Sequence, residues 1–258
     1  GVDGLAEDWD TVVGADAGRY DEFRRRAWFP GDLQRRTSRG ATSAEFIRGN
    51  FRGRTLHDVV YVSANAWFAK LRDDLDSEVH EFVLVERDAA DGLTSRPETV
   101  TDRALEAAKS FPNKRLIVHY MQPHQPYLGS TADGLAFGST LGETVRRNDL
   151  SAAEVRRLYR ENLDLALSAV DRLLDSIDGK TVISADHGEA LGERERPLPV
   201  RFYGHMDGLY MPELVTVPWH VCEHDNRRRI VAEAPAARDD DIDLDAVERN
   251  LRDLGYVV

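Results

Sequence analysis

Cysteine is almost missing from this 258-residue chain: Cys222 stands alone. That excludes a disulfide framework and any zinc site built on paired thiolates. Lysine is scarce as well, with Lys70, Lys109, Lys114 and Lys180 as the whole set, so arginine carries nearly all the positive charge. No apolar run reaches the roughly 18 residues of a membrane span. No signal-peptide pattern opens the sequence, although Gly1 is compatible with a trimmed start. These absences set the expectation of a cytoplasmic protein without a membrane span. Lys and Arg total 34 against 46 Asp and Glu, a formal charge of -12. A chain so short of positive charge lacks the basic face that a nucleic-acid backbone requires. Surplus acid with little lysine keeps a surface hydrated in concentrated salt, so the composition points to a salt-adapted source. The plainer alternative is an ordinary acidic protein.

What is present reads as one α/β domain, long enough to bury a core. The β-branched run at 181–184 suits a buried parallel strand. Further strands are expected at 9–16, 58–63, 81–85, 115–121 and 214–221, the last with Pro218 at an edge or a bulge. Helices are expected from about residue 42, over 99–110, and over 151–177. In the last of these Val155, Leu158, Tyr159, Ala166, Val170 and Leu173 recur at helical spacing. Ser151 and Glu154 have capping-box spacing at its start, and Asp178-Gly179 stops it. Loops fill 88–97 and 189–201, and 129–148 reads as a surface excursion, a lid over a site. An acidic tail from about 233 to 258 reads as a linker followed by a short closing helix over 244–254. No internal repeat or second domain is visible.

The chemistry-bearing residues gather just past strand ends. Asp186 and His187 follow the 181–184 strand, where a buried carboxylate and imidazole are costly unless a divalent metal pairs them. The alternative is a helix-capping Asp186 beside a surface His187. Gly188 would let the chain turn there. Asp16 ends the first strand in the same way, as a second carboxylate or a helix N-cap. Thr42, Ser43 and Glu45 mark a helix start, where a hydroxyl meets unpaired N–H groups and the positive end of the dipole. That serves a cap, and equally a nucleophile attacking an anionic ester. Asn65 reads as a loop residue, with the site as its alternative. Two prolines hold His124 beyond the 115–121 strand, and His205 lies in a Gly-flanked loop able to return to the same place. His220 and His224 read as structural.

In order, DTVVGADAGRYDEF, VHYMQPHQPY, the helix with Tyr159 and Asp171, and ADHGEALGE followed by YGH and VTVPWHV resemble the alkaline phosphatase/sulfatase superfamily. The likeness is to an acidic, sulfatase-like member of haloarchaeal type, and it spans roughly residues 9 to 221. It implies an alkaline-phosphatase-like, three-layer α/β/α fold with a mostly parallel central sheet, as a single domain over 1–258. It implies a divalent metal, zinc, manganese, magnesium or calcium, held by Asp16, Asp186 and His187. His205 would bind a second metal or the anionic group of the substrate, and His124 would hold the transferred group. The TSAEF stretch is similar to the Thr-Ser stretch of lipoteichoic acid synthases, where the threonine attacks, so Thr42 is preferred to Ser43 as nucleophile. Two departures stand out. The formylglycine motif C-x-P-S-R of sulfatases is absent, and position 15, where sulfatases often carry a second aspartate, is alanine. The expected function is a metal-dependent hydrolase or phosphotransferase for small-molecule or glycan phosphate esters. The alternatives are a sulfate-ester hydrolase without formylglycine and a non-catalytic relative that binds an anion or glycan.

Overall fold

Three parallel strands form the centre of the sheet: β1 (Thr11–Ala15), β5 (Arg115–Tyr120) and β6 (Thr181–Ala185). β1 lies between the other two, with Ala15 level with Tyr120 on one side and with Ala185 on the other. Asp16 and Asp186 therefore leave the sheet at the same height, on neighbouring strands. The computed structural model of the chain describes residues 1, 3–194, 200–235 and 243–253. Among them, β2 (Asp32–Thr37), β3 (Thr55–Ser63), β4 (Glu78–Leu84) and β9 (Thr216–Cys222) complete a seven-stranded sheet ordered β2-β9-β6-β1-β5-β3-β4. Only β9 runs against its neighbours. β7 (Ala190–Arg194) and β8 (Arg201–Gly204) form a separate hairpin.

Alternation along the strands sorts the apolar residues to two faces, because successive side chains point opposite ways. Val60, Val62, Val118 and Ile183 belong to one core with Phe23, Val100 and Leu158. Those three come from α1 (Tyr20–Arg26), α4 (Pro97–Ser110) and α6 (Ala152–Leu174). Val59, Tyr61, Ile117 and Val182 pack on the other side with Ile47, Phe68 and Leu251. These belong to α2 (Ser43–Phe51), α3 (Trp67–Leu71) and α8 (Leu244–Asp253). The result is the three-layer α/β/α arrangement. α6 starts on the expected Ser151–Glu154 capping box. The 129–148 excursion contains a 3-10 turn at Ser130–Ala132 and a short α-helix, α5 (Leu141–Arg147).

Several expectations change. The 189–201 segment is not all loop, since β7 and β8 occupy its flanks and 190–194 is pinned by pairing with β8; residues 195–199 lie outside the described residues. Residues 214 and 215 are helical, in α7 (Pro212–Val215), and the strand begins at Thr216. β9 is interior rather than an edge, being paired with both β2 and β6. Pro218 is tolerated because the pairing with β6 stops at Trp219, so no β6 partner waits for the N–H that proline lacks. The edge on that side is β2, with the sequence DLQRRT. Its polarity hides it from any search for apolar alternation, and it also suits an exposed edge. Of the acidic tail, 236–242 and 254–258 lie outside the described residues, and the closing helix covers Leu244–Asp253.

Candidate active site

At the carboxyl edge of the sheet, Asp16, Asp186 and His187 converge, with one donor atom from each within 4.8 Å of the others. All three are buried. Local backbone explains the convergence. Asp16 donates its N–H to Tyr120 O, continuing the β1–β5 ladder past the last paired residue. Ala17 takes a φ of +62°, and its N–H donates to Asp186 Oδ1 at 3.2 Å. His187 Nδ1 donates to Gly188 O at 2.7 Å, which leaves Nε2 facing the two aspartates, 3.4 Å from Asp16 Oδ1 and 3.6 Å from Asp186 Oδ2. Gly188 is required for close approach rather than for a turn. Its N–H donates to Leu214 O at 2.6 Å, and a Cβ there would lie 2.0 Å from Glu213 O.

Ser43, the first residue of α2, brings its hydroxyl into this cluster. Its Oγ lies 2.7 Å from Asp186 Oδ2, 3.3 Å from Asp16 Oδ2 and 3.4 Å from His187 Nε2. Thr42 points elsewhere. It caps α2 by accepting from Glu45 N at 3.3 Å, and its hydroxyl donates to Asp207 Oδ1 at 2.6 Å. The backbone explains the divergence: Thr42 is the extended cap residue and Ser43 the first helical one, so their side chains leave in different directions.

Burial alone would raise both aspartates. For Asp16 it is outweighed first by His187, then by His124 and His119; for Asp186 it is outweighed by His187 and His119. Both carboxyls therefore sit below the usual carboxylate range. Burial works against a charge on His187 too, but Asp186 and Asp16 push it up to about 10. Two ionised carboxylates this deep need compensation. Asp16 Oδ1 is buried and accepts no hydrogen bond. A buried carboxylate oxygen that accepts no hydrogen bond, beside a second carboxylate and an imidazole nitrogen, belongs to the donor set of a divalent cation, and the residues fit one.

A second cluster adjoins the first. His124, Glu189 and His205 also bring donor atoms within 4.8 Å of one another. His205 Nδ1 lies 2.9 Å from Glu189 Oε1. The ring of His205 lies 4.3 Å from that of His187 and 5.2 Å from that of His124, between centroids. His124 Nδ1 donates to Gln125 O at 2.5 Å, turning its other nitrogen toward the site. Burial holds His124 below the usual imidazole range, against the pull of Asp16 and Glu189.

The structure thus brings Asp16, Ser43, His124, Asp186, His187 and His205 together and leaves Thr42 at the rim. Sequence reasoning missed two neighbours, His119 and Glu189, and gave a third, Asn65, the site only as its alternative. Asn65, read as a loop residue, donates from Nδ2 to Asp16 Oδ2 at 2.7 Å and to Ser43 Oγ at 3.0 Å. The signal was available, since Asn65 follows the end of a parallel strand. His119, taken as one more strand residue, places Nε2 3.5 Å from Asp186 Oδ2 while Tyr61 OH holds Nδ1 at 3.0 Å. Glu189 looked like the first residue of a polar loop. Cys222 pairs with Thr181, at the end of β6 away from Asp186. His220 packs among Phe23 and Phe29, and His224 is exposed.

No family model matches the chain, and no curated protein does. Solved structures do. The C-terminal periplasmic domain of EcEptC from Escherichia coli, in complex with Zn, aligns with a TM-score of 0.56 at 12% identity over 87% of this chain and 75% of that one. A protein in the alkaline phosphatase superfamily from Vibrio parahaemolyticus aligns at 0.51 and 11% identity, over 89% of this chain and 62% of that one. A third structure, in complex with its substrate D-glucosamine-2-N,6-O-disulfate, aligns at 0.51 and 11%, over 84% and 71%.

Proposed function

On this fold, the one shared by alkaline phosphatase superfamily members, we propose a metal-dependent hydrolase or phosphotransferase for phosphate esters with Ser43 as its nucleophile. One observation carries the reading: the Ser43 hydroxyl lies 2.7 Å from Asp186 Oδ2, inside a buried Asp-Asp-His set. A serine needs an acceptor for its proton and a fixed direction of attack. Asp186 Oδ2 accepts the proton, and the Asn65 amide donates to Ser43 Oγ and orients its lone pair.

Asp16, Asp186 and His187 would hold the divalent ion. When bound, such an ion supplies positive charge that lowers the hydroxyl pKa and polarises the ester. The zinc in the EcEptC structure supports an ion of that kind. Ser43 Oγ bonds to phosphorus as the ester oxygen leaves. Water or an acceptor alcohol then takes the phosphoryl group, and Ser43 regains its hydroxyl. Ser43 and Ala44, the first residues of α2, would offer their backbone N–H groups to the phosphoryl oxygens. His124 and His205 contact the transferred group or the departing oxygen, with Glu189 fixing His205. Phosphate is preferred to sulfate because no cysteine stands at the position of Ser43 or Thr42 to become formylglycine.

The test is a panel of aryl phosphate, aryl phosphodiester and aryl sulfate with each divalent ion, on wild type, Ser43→Ala and Thr42→Ala. Ser43→Ala should lose ion-dependent phosphate release by about 10³-fold or more. Thr42→Ala should keep turnover within about tenfold while losing a helix cap, about 1 kcal/mol of stability. Activity retained in Ser43→Ala and lost in Thr42→Ala would move the nucleophile to Thr42. Faster release of sulfate than of phosphate would reverse the substrate class.

A further inference from the structure

Two side chains of α6 reach toward the site without joining either cluster. Tyr159 is fully buried, and its hydroxyl donates to Ala17 O at 2.6 Å and accepts from Arg19 N at 2.9 Å. It thereby pins both ends of the turn after Asp16. That is the turn whose Ala17 N–H donates to Asp186 Oδ1. Asn162, also fully buried, serves the other side. Its Nδ2 donates to His124 O at 3.0 Å and Pro126 O at 3.2 Å, and its Oδ1 accepts from Leu128 N at 2.7 Å. With Pro123 O at 3.5 Å as well, one amide thus meets four backbone groups of the loop that presents His124.

Residues three apart share a helix face, so the two contacts come from one rigid support. α6 is 23 residues long, capped at its start and buried along its apolar stripe. We propose that Tyr159 and Asn162 are positioning residues, one for each half of the site. Tyr159 sets the Asp16 turn against Asp186, and Asn162 sets His124 against His205 and Glu189. The assignment rests on the reading of the site as a metal-dependent phosphate-ester centre. The physical need is plain. The 123–128 loop contains two prolines, which offer no N–H, and it has no strand partner, so its inward carbonyls depend on a side-chain donor. Small misplacements of ligands and binding groups carry large penalties in affinity and rate.

The two halves predict a crossed result. Calorimetry would measure Zn²⁺ affinity and then the affinity of the ion-saturated protein for inorganic phosphate. The proteins compared are wild type, Tyr159→Phe and Asn162→Leu, each checked for folding by circular dichroism. Tyr159→Phe should weaken the tightest Zn²⁺ site by about 10- to 100-fold and leave phosphate affinity within about threefold. Asn162→Leu should leave that Zn²⁺ site within about threefold and weaken phosphate by about tenfold or more. If Asn162→Leu does not fold, Asn162→Asp keeps the acceptor for Leu128 N–H and removes only the donor. A general packing role would move both constants together or neither, and either pattern would overturn the assignment. Wild-type protein that binds no ion would instead overturn the reading of the site, and the assignment with it.

Discussion

The Asn65 amide nitrogen lies 2.7 Å from Asp16 Oδ2 and, from the same atom, 3.0 Å from the Ser43 hydroxyl. It joins a carboxylate on β1 to the hydroxyl at the start of α2. Its oxygen separately accepts from Trp67 N at 2.9 Å and shapes the local turn. The two roles can be pulled apart. Asn65→Asp keeps the acceptor for Trp67 and loses the donor toward Asp16 and Ser43. A hydrogen bond to a charged group is worth about 1.5–3 kcal/mol, so kcat/KM on an aryl phosphate should fall by roughly 10- to 100-fold in both Asn65→Asp and Asn65→Ala. Full activity in Asn65→Asp would refute the donor role.

Gly188 tests whether the turn after Asp186 and His187 must lie against α7. A methyl group at position 188 would lie 2.0 Å from the Glu213 carbonyl, a backbone atom that cannot rotate aside. Gly188→Ala must displace the turn or α7, and overpacking of this kind costs about 1–3 kcal/mol. The melting temperature should drop, and Zn²⁺ affinity should weaken by tenfold or more, on the order expected when a ligand's support is lost. Wild-type affinity in this variant would show that the turn tolerates movement.

Glu193 links acid sensitivity to the same region. Burial disfavours its charge, but Arg19 more than offsets this, with Arg156 adding, and holds the carboxyl below its ordinary range. Arg19 Nη1 lies 2.7 Å from Glu193 Oε1 and 3.0 Å from Glu189 O, so this pair anchors the strand behind the second cluster. The folded-state pKa is depressed. The stabilisation is therefore present above the unfolded value, near 4.5, and is lost as pH falls through the folded one. Glu193→Gln should be destabilised relative to wild type at pH 7, with the gap closing as pH falls from 4.5 through the depressed folded-state value. Urea unfolding with EDTA present in both proteins would measure it. A gap that stays constant with pH would mean that the carboxylate charge contributes nothing.

Residue types and order alone made much of the fold legible. The runs at 115–121 and 181–184 are apolar and β-branched enough to be buried strands in any setting. Ser151 and Glu154 mark a helix start through local hydrogen bonds that need no distant partner. The polar edge strand β2 was not legible, because its pairing with β9 comes from backbone groups and leaves no apolar signature. The same holds for the β7–β8 hairpin.

The candidate site divides along the same line. Asp16, Asp186 and His187 could be read from the sequence because each follows an apolar strand, and a strand's end is a local property. The choice between Thr42 and Ser43 could not. Both precede the same helix, and one residue of backbone rotation turns one hydroxyl to Asp207 and the other to Asp186. Asn65, His119 and Glu189 take their place only once β3, β5 and the 186–190 segment lie side by side. The sequence by itself determined which strands are buried, where the helices start and which ionisable residues follow the strands, because these depend on neighbours a few positions away. Tertiary structure alone decided which hydroxyl meets the carboxylates and which amide and imidazole surround them, because those contacts join residues 22 to 143 positions apart.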